Sequence, residues 1–461
     1  MRMRLIVLTL CLAAAAVVGQ DRPRAALEQA AGVVITGATL IDVRAGEVIK
    51  DSVIVIEGDR IKQVGKSGEV NIPSSARIID ARGKWIIPGL TDMHSHISGT
   101  PGLPLGLYLA NGVTTIRDPG GNLTLLRLLR EQLDSGKVVG PRLFFAGPIL
   151  DGNPPVWPAG SILADSPARA ESAVNFLIDQ GVDCIKVYNN ISEPVLKAII
   201  RTAHQREIPV VGHVPRSITM TRAVELGMDC LEHIRITGRE MLPLEEANKI
   251  DFLPLGRRET LLWQRFDLAS AEMKKLVALL VEKKVFLDPT LTIDEETFAG
   301  GYEANAKDPN NRFLPRAIFD AWVSRPRPEI YNIPSELREA ALAGFKKRQQ
   351  FVGMLSRGGV QVLAGTDGVG LGTLLPGFGL QHELELLAAA GLKPIDVLRA
   401  ATITAARALK RERELGSIET GKFADLVILN ADPLAEISNT RKIHLIMKGG
   451  QIYDPAIKVV P

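Results

Sequence analysis

An α/β fold, a (β/α)8 TIM-like barrel with a small β-sandwich formed from both ends of the chain, is what this 461-residue sequence predicts, on three observations. Residues 32–90 and those after about 416 share one texture, short alternating apolar runs broken by Gly, Asp and Asn. Between them a strand-then-helix rhythm repeats eight times, which suits a closed barrel better than an open sheet. Most of the chain's histidines stand at the C-terminal ends of those strands, where barrel enzymes place their chemistry.

The N-terminus differs in kind from the rest. "MRMR" is a basic start, "LIVLTLCLAAAAVV" an apolar run and "VVGQD" a small-residue exit. Residues 1–20 are therefore expected to be a secretory signal peptide cut near Gly19 or Gln20, the mature protein being periplasmic or secreted. The alternative is an N-terminal membrane anchor, for which the run is short. Leu10, preceding Cys11, is too bulky for a good lipoprotein processing site. The other cysteines, Cys184 and Cys230, are expected to be buried free thiols, since two residues make no disulfide framework.

Residues 21–90 hold "GVVITGATLIDV", "SVIVIEGDRIKQVG" and "ARIIDARGKWIIPGL", and residues 416–461 hold "GSIETGKFADLVIL" and "KIHLIMKGGQIYD". These segments are expected to pair as one sandwich. Residues 91–415 are then the barrel. Its first strand runs into His94 and His96, followed by strands over 113–121, 141–152, 182–188, 208–214, 229–234, 285–293 and 360–368. Apolar helical stretches such as "SPARAESAVNFLIDQG" lie between most of them. The segment from about 294 to 357 is too long for a simple connection. Its polar first part, "IDEETFAGGYEANAKDPNN", is a candidate lid above the barrel.

Charge excludes one class of partner. Lys and Arg number 55 against 52 Asp and Glu, for a net charge of +3, and no block of like charges stands out. Nucleic-acid binding needs a clustered basic face. The expected partner is a small-molecule or dipeptide substrate, with no nucleic acid, no membrane after signal removal, and a possible homo-oligomer.

The chemistry rests on spacing. His94 and His96, at i and i+2, share one face of a strand. Lys186 sits inside the apolar "CIKVY", where an unpaired ammonium is expensive, so it either pairs with an acid such as Asp118 or has been modified. His213 ends the apolar "VVGHV", His233 the "CLEHI" run, and Asp367 closes the eighth strand. Each alone is more often a satisfied core polar group; together, at one end of a barrel, they read as a site.

This order of residues resembles the amidohydrolase superfamily. That family places H-x-H on strand 1, Lys on strand 4, His on strands 5 and 6 and Asp on strand 8. His94, His96, Lys186, His213, His233 and Asp367 fill those positions here. "KWIIPGLTDMHSH", "GSIETGKFADLVIL" and "MKGG" also look like the family, over nearly all of 32–456. "GVTTIRDPGG" and "AGTDGVG" look closest to its imidazolonepropionase-related, prolidase-like group, which includes Xaa-Pro and Xaa-Arg or Xaa-Lys dipeptidases.

The resemblance implies two divalent metal ions, most often zinc. His94, His96 and Asp367 would hold one and His213 and His233 the other, with Lys186, carboxylated by CO2, bridging them beside a hydroxide. Asp367 would shuttle the proton to the leaving amine. Lys186 points to binuclear amide or peptide hydrolysis, because single-metal relatives such as imidazolonepropionase lack it. The expected activity is cleavage of a dipeptide or N-acyl amino acid, dipeptides ending in Pro or a basic residue being the first to try. The alternatives are a deaminase or cyclic amide hydrolase acting on a small heterocycle, and a barrel that binds without turnover.

For substrate contacts the sequence offers three residues. Tyr188 shares the face of Lys186. Arg117 is a partner either for a substrate carboxylate or for adjacent acids. Trp157, in the rigid "DGNPPVWPAG" loop, either walls a pocket or packs under its own loop.

Overall fold

A computed structural model describes residues 32–251, 253–324, 333–369 and 374–456; the expected signal peptide lies outside the described residues. The N-terminal strands are Val33–Asp42 (β1), Glu47–Glu57 (β2), Arg60–Lys66 (β3), Arg77–Asp80 (β4) and Trp85–Pro88 (β5). The middle of the chain supplies Leu90–Asp92 (β6), Val113–Asp118 (β7), Arg142–Phe145 (β8), Ile149–Asp151 (β9), Ser161–Leu163 (β10) and Ile185–Val187 (β11). It continues with Val210–Gly212 (β12), Cys230–Glu232 (β13), Phe286–Asp288 (β14) and Gln361–Val362 (β15). Leu426–Leu429 (β16), Ile443–Lys448 (β17) and Gln451–Tyr453 (β18) complete the set.

The two ends of the chain meet in a single sheet of order β18-β17-β16-β5-β1-β2-β3, with β4 beside β1. The junction is antiparallel, Leu426 opposite Pro88 through Leu429 opposite Trp85. Alternation puts Ile35, Leu40, Ile54, Ile56, Ile86, Leu426 and Ile428 into one buried cluster. A second seam ties Ile61 N–H to Lys422 O and Ala424 N–H to Asp59 O.

The middle strands form two parallel sheets, β6-β7-β8 and β10-β9-β11-β12-β13-β14-β15. β6, β7, β9, β11, β12 and β13 are buried along their whole length, the pattern of parallel strands covered on both faces. Met93 N–H donates to Ala364 O at 3.0 Å and Asp183 N–H to Phe145 O at 2.8 Å, so backbone bonds cross between the sheets on both sides. Met93, Ala146, Cys184, Val211, Cys230 and Leu363 pack in one buried cluster drawn from both. Cys184 and Cys230 are free thiols within it.

All eight expected middle strands are present, each shorter than the sequence suggests, and three depart most. The 141–152 segment is two strands, broken at Ala146–Pro148 where Gly147 takes φ +74°. Past β14, Pro289 cannot extend a ladder and Thr290 turns left-handed at φ 48°, so Leu291–Phe298 is helix. The eighth strand is regular only over two residues, because the chain beyond Val362 bends to carry Asp367. Among the described residues no helix is long and apolar enough to cross a membrane.

Candidate metal centre

His94 and His96 are placed by threading the chain between two neighbours. Ser95 N–H donates to Arg117 O, His96 N–H to Gly368 O and Asp367 N–H to His94 O, at 2.8–3.0 Å. Asp92 clasps the same junction: Oδ1 accepts from the His94 and Thr366 N–H groups, and Oδ2 from the Thr366 hydroxyl at 2.9 Å. Burial lifts the Asp92 carboxyl to about 7. The first-strand histidines and Asp367 are thus held as one unit.

Four imidazoles and one carboxylate meet here. Asp367 Oδ1 lies 3.1 Å from His96 Nε2 and 3.5 Å from His94 Nε2, and its Oδ2 3.8 Å from His233 Nε2. Ring centroids of His94 and His233 are 5.0 Å apart, and those of His213 and His233 4.8 Å. Every imidazole has its Nδ1 engaged: His94 with Glu232 and His96 with Gly120 O, His213 with Asn189 Oδ1 and His233 with Thr290 Oγ1, at 2.6–2.9 Å. The Thr290 hydroxyl gives its own proton to Pro289 O, so it accepts from His233. With Nδ1 held by an acceptor, each ring keeps Nε2 as its metal-binding atom, bare in His94, His213 and His233 and protonated in His96.

Lys186 Nζ is buried among these groups with no hydrogen-bond partner, and burial, then Arg117 among its neighbours, pulls it below the ordinary lysine value. A neutral amine is the form that reacts with CO2. Burial followed by Lys186 takes His94 down to about 4, and burial holds His213 and His233 well below the usual range. Burial also pulls on His96, but Asp118 and Asp367 outweigh it and lift that ring to about 10. Burial alone would raise Asp367; His94, His96 and Lys186 outweigh it and keep the carboxylate ionised. His233 and Asp367 both adopt left-handed backbone, at φ 64° and 55°, strain of about 1–3 kcal/mol each that clusters at functional sites. The residues present fit a divalent-metal centre in donor type and orientation, and in protonation at every imidazole but His96.

Arg117 is not where a substrate can reach it. It is 2% exposed and lies beneath His94, donating to Met93 O at 2.7 Å and to Glu232 at 2.6 Å, with Asp288 at 3.5 Å. The reading as a carboxylate-binding residue is corrected: an apolar strand interior forced the guanidinium onto buried acids. Burial would raise Glu232, yet Arg117, Lys186 and His94 hold it far below; Asp288 is raised by burial and then by Glu232. Glu232→Gln is expected to weaken divalent-metal binding about 10- to 100-fold through loss of the charge on His94 Nδ1. Stability should fall by about 1–3 kcal/mol, because Asp288 can ionise beside the stranded Arg117. Chelator competition and urea unfolding check the two numbers.

Above these groups opens a cavity of about 880 Å3, lined by His94, His96, Lys186, His213, His233 and Asp367, with Tyr188 and Trp157 on its wall. Tyr188 packs on His213 at 4.1 Å between centroids and accepts from Trp157 Nε1 at 2.9 Å. Asp151 makes the Trp157 loop rigid, its oxygens taking the Gly152, Asn190 and Val156 N–H groups. The segment over the cavity is Asp251, Leu253–Leu255 and Arg258, from the connection after β13. Residues 293–311, the candidate lid, contribute nothing to its lining. They line a separate hollow with His382, which is bonded to Glu295.

Sequence reasoning missed Asp92, Glu232, Asn189 and Thr290. The argument applied to Lys186, that a charge inside an apolar run needs a partner, points equally to Glu232 in "CLEHI". Asn189 and Thr290 carried no comparable signal.

Known proteins share this arrangement of chain. Residues 85–453 match the amidohydrolase family. A solved structure provisionally named as a prolidase, from Bifidobacterium longum, superposes with a TM-score of 0.69 at 25% identity, covering 92% of this chain and 95% of that one. The imidazolonepropionase of Alkaliphilus oremlandii is 22% identical over 430 residues, 88% of this chain and 90% of that protein. Adenine deaminase 2 of Agrobacterium fabrum is 26% identical over 410 residues, 87% of this chain and 54% of that protein. The chain spans between 33% and 54% of the first two adenine deaminases it matches.

Proposed function

Because the chain belongs to the amidohydrolase family, hydrolases acting on C–N bonds, we propose that it cleaves an amide or peptide bond in a small substrate of the dipeptide or N-acyl amino acid kind. One observation carries the reading: four imidazoles with oriented Nε2 atoms, the Asp367 carboxylate and the partnerless Lys186 amine converge on the floor of one cavity. The fold proposed with it is a single (β/α)8 barrel closed from the two parallel sheets, with the terminal strands folded over as a sandwich. Export directed by residues 1–20 belongs to the same proposal.

His94, His96 and Asp367 would hold one divalent ion and His213 and His233 a second, with a Lys186 carbamate between them; zinc, which prefers imidazole nitrogen, suits both places. When bound, such a pair supplies an acidified water and a polarised carbonyl. The rest falls to the protein. Asp367, ionised and 21% exposed toward the cavity, takes a proton from the attacking water and returns it to the leaving nitrogen. Burial pushes the Tyr188 phenol up to about 12; it accepts from Trp157, so its own proton is free to be given to a substrate oxygen. The rigid Trp157 loop and Tyr188 screen the cavity from solvent on that side.

At neutral pH three imidazoles are bare and His96 carries a proton that a metal must displace. Uptake of the His96-bound ion is expected to release about one proton and to tighten as pH rises from about 6 to about 9, because each step removes competing protons. Calorimetry in buffers of different ionisation heat reads the count.

The proposal is tested with protein carrying two equivalents of zinc against a panel of dipeptides, N-acyl amino acids and amino-substituted heterocycles. Amine release from the first two groups supports it. Ammonia release from heterocycles alone would replace it with the deaminase reading that the adenine deaminase relatives favour.

A further inference from the structure

The cavity wall carries charge that hydrolysis at its floor does not use. Arg216 follows His213 by three residues, Arg235 follows His233 by two, and Arg258 comes from the helix Leu255–Arg265; all three line the cavity that holds the metal-type ligands. Arg216 is fixed at its backbone, where its N–H donates to Asn189 O at 2.9 Å.

Carboxylates on this side are already engaged: Asp251, in the lining, accepts from Gly238 N–H at 2.7 Å and faces Arg239 at 3.7 Å. Glu259, 1% exposed, accepts from Arg258 at 2.8 Å and from the buried Arg348 at 3.0 Å, with Arg235 at 4.0 Å. Asp294 faces Arg348 at 3.6 Å. Burial would raise Glu259, but Arg258, Arg235 and Arg348 outweigh it and hold it at about 2. Among the described residues no carboxylate lies within ion-pair distance of Arg216. Partial burial followed by repulsion from Arg258 lowers it, and Asp151 offsets this only in part. Two guanidiniums close enough to repel therefore share one cavity, and one of them has no paired acid. An anion seated between them turns that repulsion into charge-assisted hydrogen bonds.

Resting on the hydrolytic reading above, we propose that Arg216 and Arg258 form a subsite for the substrate's carboxylate. The enzyme then acts on amides that carry a free carboxylate, such as dipeptides and N-acyl amino acids. It discriminates against their neutral C-terminal amides, against uncharged heterocycles, and against substrates with a basic side chain at that end. The guanidinium fork suits a planar carboxylate, and loss of one such charge-assisted pair costs about 10- to 100-fold in affinity.

The test uses zinc-loaded full-length protein and its Arg216→Gln variant, a change at an exposed position. Kinetics with a dipeptide and its C-terminal amide should give a kcat/KM ratio of about 10 to 100 in favour of the acid, carried by KM, collapsing toward one in the variant. Binding of 3-phenylpropionate, which has no amide bond to cleave, should weaken about 10- to 100-fold in the variant, with Arg216→Lys intermediate. Equal binding to both proteins overturns the subsite, since contact with zinc alone would be the same in each. Tighter binding of inorganic phosphate than of the carboxylate overturns the carboxylate assignment. Weakened 3-phenylpropionate binding with no amide cleaved anywhere would leave the subsite standing and sink the hydrolytic reading.

Discussion

Asp367→Asn is expected to lower kcat about 10³-fold with little change in KM. The substitution is a clean one. Asparagine keeps the shape, and it is among the few residues that tolerate the left-handed backbone found at this position, φ 55°. What it removes is the charge facing the Nε2 atoms of His96, His94 and His233 at 3.1, 3.5 and 3.8 Å, and the ability to take up a proton and give it back. The acid limb of the kcat–pH profile should flatten at the same time, since the carboxylate held below its ordinary value is the group that titrates there. Steady-state kinetics across pH, with metal content by elemental analysis, decide it. Unchanged turnover would mean that another group moves the proton.

Lys186→Met should abolish turnover, by more than about 10³-fold, while making the metal-free protein more stable. Lys186 is 2% exposed and its amine finds no partner among the buried groups. Such a group costs about 1–3 kcal/mol to keep in the core. Methionine fills nearly the same volume without a polar atom. The metal-free variant is therefore expected to melt about 2–5 °C higher, and to bind at most one ion where the parent is expected to bind two. Carbon-13 bicarbonate should give a carbamate resonance in the parent and none in the variant. A destabilised variant that still holds two ions would show that Lys186 is structural.

How far the site was legible depended on where each residue's evidence lay. His94, His96, Lys186, His213, His233 and Asp367 were readable because each is a polar residue within or at the end of an apolar strand, in a fixed order along the chain. The structure gathers all six. Arg117 obeyed the same rule and belonged to the layer beneath, because burial depth within a strand end is a tertiary property; its true partner, Glu232, is 115 residues away. The arginine wall was invisible for a related reason. Arg258 sits in an ordinary-looking helical stretch, and only the folding of the connection after β13 brings it over the cavity. Strand existence was plain and strand ends were not, since Gly147, Pro289 and Thr290 set them through local backbone angles.

The pairing of β16 with β5 has a consequence for biosynthesis. β5 leads straight into the segment that carries His94, and its apolar edge waits for a partner translated near the end of the chain. Until Leu426–Leu429 leaves the ribosome, Trp85–Pro88 is an unsatisfied hydrophobic edge, open to the wrong strand. Such long-range closure makes folding slow and late. Nascent chains stalled before β16 should be bound by holdase chaperones and cleaved readily between β5 and His94, whereas chains extended past β18 should resist; pulse proteolysis of arrested ribosome complexes would reveal the step.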